Sequence, residues 1–265
     1  MDLETLSHIV CQIALEAGEK ILAVYHDANF TVEHKSDNTP LTAADLASHQ
    51  YITESLKELT PDYPILSEES ADIPFSERQH WNTYWLVDPL DGTKEFIKRN
   101  DQFAILIALI HEHEPVLGVV YAPALQELWV ASLSNGAYKL IDEELVPIQA
   151  RTLASPPVII GSNSHRDNDI PAFLTNVGAH EYQTVGSIIK ACRVAEGSAD
   201  LYPRLGLTSE WDTAAAQIIV TEAGGHMLTT THEPLRYNTK DSLLNPHFFV
   251  MGSEIQDWSQ YLPKS

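Results

Sequence analysis

Basic residues are scarce in this chain: 16 Lys and Arg stand against 37 Asp and Glu, a formal net charge of −21 over 265 residues. Such a surplus repels phosphate backbones and anionic bilayers at long range, which sets aside a nucleic-acid polymer as partner. Cysteine is nearly absent. Cys11 and Cys192 lie among apolar neighbours, form no CxxC pair and are expected as two buried free thiols. Long hydrophobic runs are missing too; the longest, 103–110, is far short of a membrane span, so no transmembrane segment is expected. The opening Met1-Asp2-Leu3-Glu4 is acidic where a secretory leader is basic. The expected location is cytoplasmic, with peripheral attachment at the inner membrane as the variant. Also absent are a Walker loop, a dinucleotide glycine fingerprint, a His-Glu-x-x-His zinc site and, around Ser162, Ser164 and His165, a Gly-x-Ser-x-Gly elbow.

What is present is ordinary globular material, 44% apolar and 20% charged, enough for one large domain or two joined lobes at about 150 residues per domain. Leu3, Leu6, Val10, Ile13, Ala17, Ile21 and Val24 recur at helical spacing and predict an opening helix with one core-facing stripe. Phe30, Val32 and His34 alternate as a short strand, and 36–40 reads as a turn. A second helix is expected from Thr42 to about 59, with Thr42 and Asp45 spaced as a capping box. Strands follow at 64–66 and 84–87, with a loop carrying Trp81 between them, and 94–98 reads as one or two helical turns. The segments 104–110, 116–121, 127–132 and 137–141 form an antiparallel meander. Beyond a connector, strands at 158–162, 199–202 and 248–251 alternate with helices at 187–196 and 212–223, and a short helix ends the chain. Mixed sheets covered by helices, an α+β (mixed α/β) fold, follow from this order, with an N-terminal lobe at 1–155 and a C-terminal lobe at 156–265.

The segment Asp88-Pro89-Leu90-Asp91-Gly92-Thr93 carries the chemistry. It sits where an apolar strand ends and a helix begins, so its carboxylates project into a crevice while glycine lets backbone approach a ligand and helix-start N–H groups favour an anion. Hard oxygen ligands select Mg²⁺, Mn²⁺ or Ca²⁺ over zinc, and phosphate is the usual third party. The competing structural account is that Asp91 caps the helix and Asp88 opens a turn. The Asp-Gly-Thr string also invites comparison with haloacid-dehalogenase phosphatases, but there one residue separates the two Asp and here two do. The spacing argues for two metal ligands and an attacking water rather than an aspartyl-phosphate. Glu68-Glu69 alone reads as a solvated acidic loop, Asp45 as a cap, and Asp212 as a helix N-cap before 213–223.

Taken in order, Glu68-Glu69, Asp88 to Thr93 and Trp211-Asp212-Thr213-Ala214-Ala215 resemble the inositol monophosphatase superfamily of Mg²⁺-dependent, lithium-sensitive phosphatases over nearly the whole chain. The resemblance implies a layered α-β-α-β-α sandwich. Lys94-Glu95-Phe96, Val185-Gly186-Ser187 and Leu201-Tyr202-Pro203-Arg204 narrow it to the nucleotidase branch, which removes the 3′-phosphate of adenosine 3′,5′-bisphosphate, a by-product of sulfate activation and acyl-carrier-protein maturation. By position, Glu68, Asp88 and the Leu90 carbonyl would hold one Mg²⁺, and Asp88, Asp91 and Asp212 a second, with a third, weak ion near Glu68. Thr93, oriented by Asp45, would position and help deprotonate a metal-bound water, and Glu68 is counted with them among the catalytic residues. Gly92 and Thr93 N–H groups would grip the phosphate, which Glu68, Leu90, Asp91 and Asp212 also approach. Lys190 and Arg204 are candidates for the second phosphate, and Ser187 for the ribose or base. The family usually has Gly where this chain has Ala216, which implies slightly wider helix packing there.

Asp45, Glu68, Asp88, Asp91 and Asp212 would sum to five negative charges in one pocket, too repulsive without cations; two divalent ions leave −1 and three leave +1. The expected partner is a small-molecule bisphosphate nucleotide, and the chain a monomer or homodimer. The alternatives are an inositol or sugar monophosphatase with the same site, and a catalytically silent Mg²⁺-responsive binding protein, which a lost ligand would favour.

Overall fold

The computed structural model describes residues 1–27, 32–34, 40–162 and 169–263. Phe30, residues 36–39 of the expected turn, Ser164 and His165 lie outside these residues, and Pro40 begins a strand instead of ending a turn. The chain opens with α1 (Leu3–Tyr25), a two-stranded antiparallel ribbon of β1 (Val32–His34) and β2 (Pro40–Thr42), and α2 (Ala43–Leu59). Next come β3 (Ile65–Ser67), a 3₁₀ turn at Glu68–Ser70, the short α3 (Phe75–Arg78), β4 (Thr83–Asp91) and α4 (Thr93–Lys98). The meander is β5 (Ala104–His111), β6 (Glu114–Ala122), β7 (Glu127–Ser132), β8 (Gly136–Ile141) and β9 (Glu144–Pro147). The rest is β10 (Val158–Gly161), α5 (Ile170–Val177), β11 (Glu181–Thr184), α6 (Ile189–Ala195), β12 (Leu201–Arg204), a 3₁₀ turn at Glu210–Asp212, α7 (Ala214–Glu222), β13 (His226–Thr229), β14 (Phe248–Met251) and a final 3₁₀ turn at Trp258–Tyr261.

Strands β3 to β9 form one seven-stranded sheet in chain order, parallel only at β3–β4. The second sheet runs β11-β10-β12-β14-β13 and mixes parallel and antiparallel pairs. Both faces of the large sheet are covered, which is why its strands read as continuous apolar runs rather than as alternation. Trp85, Val87, Ile105 and Ile107 face α1 and α2, where Leu6, Val10, Ile13, Ala17 and Ile21 form the stripe that helical spacing predicts. Tyr84, Leu86, Leu106 and Ala108 face the other way, onto α6 and α7 and through them onto Ile160, Tyr202 and Val250 of the second sheet. The far face of that sheet packs Ile159, Leu201 and Phe249 against Phe173 of α5 and Trp258. The result is five layers, helix, sheet, helix, sheet, helix. Among the described residues no helix is long and apolar enough to cross a membrane.

Several local outcomes differ from the sequence reading. Cys192 is buried but Cys11 is only half-buried. Strand β9, helix α5 and strands β11 and β13 were not expected. Strand β11 is exposed throughout and α5 buries only Phe173, so neither adds much to the core. The 187–196 helix begins at Ile189 because the residues before it turn sharply.

The middle helix layer is fastened in two ways. Arg193 and Glu196 on α6 meet Glu127 and Lys139 on β7 and β8, with Lys139 Nζ 2.9 Å and Trp129 Nε1 3.0 Å from Glu196, and both cations lie over the Trp129 ring. Helix α7 crosses β5 to β7 at Gly118, where a Cβ would stand 2.4 Å from the Ala215 carbonyl oxygen and 2.6 Å from Ile218 Cγ2. The backbones touch because no side chain intervenes, and Ala216, next along the same helix, is fully buried. Gly118→Ala is therefore expected to destabilise the fold by about 1–3 kcal/mol through overpacking, read as a lower denaturant midpoint with an unchanged slope.

Candidate active site

Strand β4 places the first two carboxylates. Residues three apart on a regular strand point to opposite faces. Here Asp88 pairs with Leu106 and Asp91 with Ala104, so three residues of β4 span two of β5. The extra residue is a bulge, and because Leu106 and Ala104 share a face, Asp88 and Asp91 do as well. Pro89, which lacks an N–H for the ladder, sits inside it, and its carbonyl accepts from Ser48 of α2 at 2.8 Å. Asp88 is 1% exposed, with Oδ1 accepting from the Leu90 N–H at 3.0 Å.

The chain then turns through Gly92 at φ +92° and starts α4 at Thr93. Thr93 Oγ1 lies 3.3 Å from Asp45 Oδ1 and 3.4 Å from the Leu90 carbonyl. Asp45 is buried at the start of α2, its other oxygen accepting from the Thr42 N–H at 2.7 Å and hydroxyl at 2.6 Å. The expected capping box is formed, and it leaves Oδ1 turned to Thr93.

Asp91 is bonded across the layer boundary. Its Oδ2 accepts from the Ser187 hydroxyl and from the Ile188 N–H at 2.6 Å. Ser187 holds φ +57°, uncommon for a residue with a side chain, and this conformation brings both donors onto one oxygen. Lys190 is buried, donates from Nζ to the Val185 and Ser187 carbonyls and lies over the Tyr202 ring. Arg204, 9% exposed, donates to the Leu207 carbonyl at 2.7 Å. Asp212 does not cap α7, whose N-cap is Thr213. It closes the preceding 3₁₀ turn, its Oδ2 accepting from the Ser209 N–H at 2.8 Å.

One cavity of about 230 Å³ is lined by Glu68, Asp88, Leu90, Asp91, Gly92, Thr93, Ser187, Lys190, Arg204 and Asp212. Asp45 stands behind Thr93. The wall also includes Lys94, Glu95, Tyr202 and Thr208, for which the sequence reading proposed no role. Glu95 was missed because an acid in a one-turn helix reads as solvated; only its place between Gly-Thr and the strand gives a signal.

The electrostatics follow from burial and crowding. Burial pushes the Asp88 carboxyl well above the ordinary carboxylate range, and the charges of Glu68, Asp91 and Asp212 push it further. Asp212 is raised by burial and by Asp91 and Glu68, against the Ser209 N–H and Arg204. Asp91 is raised by burial but less freely, since Ser187, Ile188 and Lys190 favour its charged form. Among the described residues no three His, Cys, Asp or Glu side chains close on one point as a finished metal-ligand group. The carboxylates are instead held apart by their own backbone and hydroxyl donors around a shared cavity. This all-oxygen donor set, with mutual repulsion and no matching number of cations, fits a hard divalent ion such as Mg²⁺ and not a soft one.

Comparison with known proteins agrees with this architecture. The sequence profile of the Inositol monophosphatase family matches residues 2–258. The 3′(2′),5′-bisphosphate nucleotidase CysQ of Salmonella typhimurium is 49% identical over 243 residues, 91% of this chain and 97% of that protein. Its namesake from Haemophilus influenzae is 40% identical over 259 residues, 96% of each. Among solved structures, CysQ from Bacteroides thetaiotaomicron superposes with a TM-score of 0.84 at 40% identity, covering 95% of this chain and 98% of that one. The extragenic suppressor protein suhB from Bartonella henselae does so at 0.77 and 25% identity, covering 94% of each. With a profile match over nearly its full length and relatives at this level of identity, the chain belongs to the inositol monophosphatase family.

Proposed function

We propose that this protein is an Mg²⁺-dependent phosphomonoesterase that converts adenosine 3′,5′-bisphosphate to AMP and phosphate by water attack, clearing a by-product of sulfur assimilation. The observation that carries the reading is the buried Asp88, facing Glu68, Asp91 and Asp212 with Thr93 and Asp45 alongside. The names of the curated relatives supply the substrate class, a 3′(2′),5′-bisphosphate nucleotide, and the adenosine comes from the sequence resemblance.

In this reading Glu68, Asp88 and the Leu90 carbonyl would hold one Mg²⁺, and Asp88, Asp91 and Asp212 would hold another, with Glu68 the neighbour of any third. Mg²⁺, when bound, offsets the carboxylate and phosphate charge and lowers the pKa of water at the site. Thr93 donates its hydroxyl hydrogen to Asp45 Oδ1, which turns an oxygen lone pair of Thr93 toward the attacking water. The 3.3 Å contact is of a kind that tightens when substrate closes the site. Attack forms the new P–O bond as the water's proton passes to Thr93 Oγ1 and the hydroxyl proton of Thr93 to Asp45 Oδ1, and the P–O3′ bond breaks with its electron pair leaving on the ribose oxygen, which takes a proton from solvent water. Gly92 and Thr93 N–H groups face the phosphoryl oxygens.

The phosphate that stays behind needs cations outside the carboxylate cluster, and Lys190 and Arg204 stand in the same wall. Their tasks divide. Lys190 supports the Val185 and Ser187 carbonyls just before the Ser187 hydroxyl and Ile188 N–H that bond Asp91, whereas Arg204 stands near enough to Asp212 to favour its charged form. Ser187 serves through Asp91.

Chelation is expected to abolish turnover and added Mg²⁺ to restore it, while excess Ca²⁺ inhibits because its larger, looser shell misplaces the water; full turnover in excess EDTA would overturn the metal reading. Asp88→Asn is expected to be the most damaging single change, with a loss of several kcal/mol in transition-state stabilisation from kcat/KM.

If Thr93 and Asp45 act as one proton-handling unit, Thr93→Ala, Asp45→Asn and the double variant lose similar factors in kcat. Losses that multiply would return Asp45 to its capping role.

Adenosine 3′,5′-bisphosphate is expected to exceed inositol 1-phosphate in kcat/KM on the order of tenfold to a thousandfold, since one or more charge-assisted phosphate contacts at about 1.5–3 kcal/mol each separate them. Arg204→Ala narrows that ratio, and Lys190→Ala depresses both substrates. Better turnover of inositol 1-phosphate would make the chain an inositol monophosphatase instead.

A further inference from the structure

Glu95 lies in the wall of the same cavity and has no part in the chemistry above. Its side chain is 2% exposed, and its Oε1 is closed to solvent and has no hydrogen-bond partner among the described residues. A buried carboxylate oxygen left this way costs the full desolvation of that oxygen unless something arrives to pair with it. The stem is held firmly. Gly186 approaches so closely that a Cβ there would lie 2.6 Å from Glu95 Cγ and 2.7 Å from the Gln102 carbonyl oxygen. The Gly186 N–H is in turn tied to Gln102 Oε1 at 2.8 Å. The last torsion of a glutamate is broad, so either oxygen can turn to the cavity without moving the stem.

A carboxylate beside phosphate oxygens repels them, so of the groups that a bisphosphate nucleotide brings, the one suited to pair with it is a neutral donor. Glu95 stands two residues after Thr93, in the first turn of α4, and its stem touches the residue before Ser187, whose hydroxyl bonds Asp91. That is the end of the cavity where the scissile ester lies if the proposed function holds, and this inference rests on that reading. The donor such a substrate always carries next to that ester is the hydroxyl on the neighbouring ring carbon.

We propose that Glu95 is a specificity-determining residue whose carboxylate accepts a hydrogen bond from the ribose 2′-hydroxyl beside the scissile 3′-phosphate. It discriminates by leaving its own buried oxygen unpaired when the hydroxyl is missing, the form of selection by which polar sites reject analogues most strongly.

The test compares kcat/KM for adenosine 3′,5′-bisphosphate and its 2′-deoxy analogue in wild type, Glu95→Gln and Glu95→Ala, each first checked for an intact thermal transition. Wild type is expected to favour the ribo substrate on the order of tenfold to a hundredfold, the range for one hydrogen bond to a charged group. Glu95→Ala brings the ratio to near one. Glu95→Gln, which keeps the shape and one acceptor oxygen, falls between and serves alone if the alanine variant does not fold. A wild-type ratio near one overturns the proposal, as does a parallel loss on both substrates that leaves the ratio unchanged. Failure of wild type to hydrolyse the ribo substrate at all would instead remove the proposed function on which the inference rests.

Discussion

Like charges forced into one buried space are the constraint from which the rest of this molecule can be understood. The charges of Glu68, Asp91 and Asp212 raise the proton affinity of Asp88, those of Asp91 and Glu68 raise that of Asp212, and the three aspartates are kept in place by donors that do nothing to neutralise them as a group. A protein selected for stability alone would fill this space with apolar side chains. Under the proposed function the repulsion is retained because a divalent cation and a phosphate together would complete it, and the surrounding architecture holds the acids in position against it. The bulge in β4, the strained Ser187 and the turn that precedes α7 each aim a carboxylate into the cavity. In this sense the functional site is the place where local rules are broken, and five close-packed layers carry the cost.

If the proposed function holds, the carboxylate cluster also explains why recognition of a nucleotide needs residues beyond it. Arg204 would then supply the charge that a bisphosphate requires and a monophosphate does not, while Glu95 would offer an acceptor where most of the substrate's surface is itself an acceptor. Opposite charges in the wall of one cavity of about 230 Å³ would give it two independent means of telling substrates apart.

Much of this was legible in the sequence, and the reasons are specific. The apolar stripe of α1, the Thr42–Asp45 box and the continuous runs of β4 to β8 are strong periodic or capping signals, and all are present in the structure. The Asp-Pro-Leu-Asp segment announced a strand-end site, though not the bulge that turns both acids to one face; only Pro89 hinted at it. Asp212 was read as the cap of the helix that follows because sequence cannot say to which side an acid between two turns will bond, and it bonds backwards. Elements at the margin of the second sheet were missed because they bury little: β11 is exposed along its length. Glu95 was unreadable for a different reason. Its burial comes from Gly186, some ninety residues later, and a contact so distant leaves no mark on the local pattern.

The fastening of α6 has an effect that reaches the chemistry. Asp88 is bonded within its own strand segment, but Asp91, three residues on, is bonded to Ser187 and Ile188 at the head of α6. The position of that helix is set at its other end by Arg193 and Glu196 clasping Trp129, Glu127 and Lys139 on the large sheet. The spacing between two neighbouring acids is therefore gauged by the distance between a sheet and the helix layer resting on it. An ion-pair cluster around one tryptophan, remote from the cavity, acts as the spacer that sets the bore of the site.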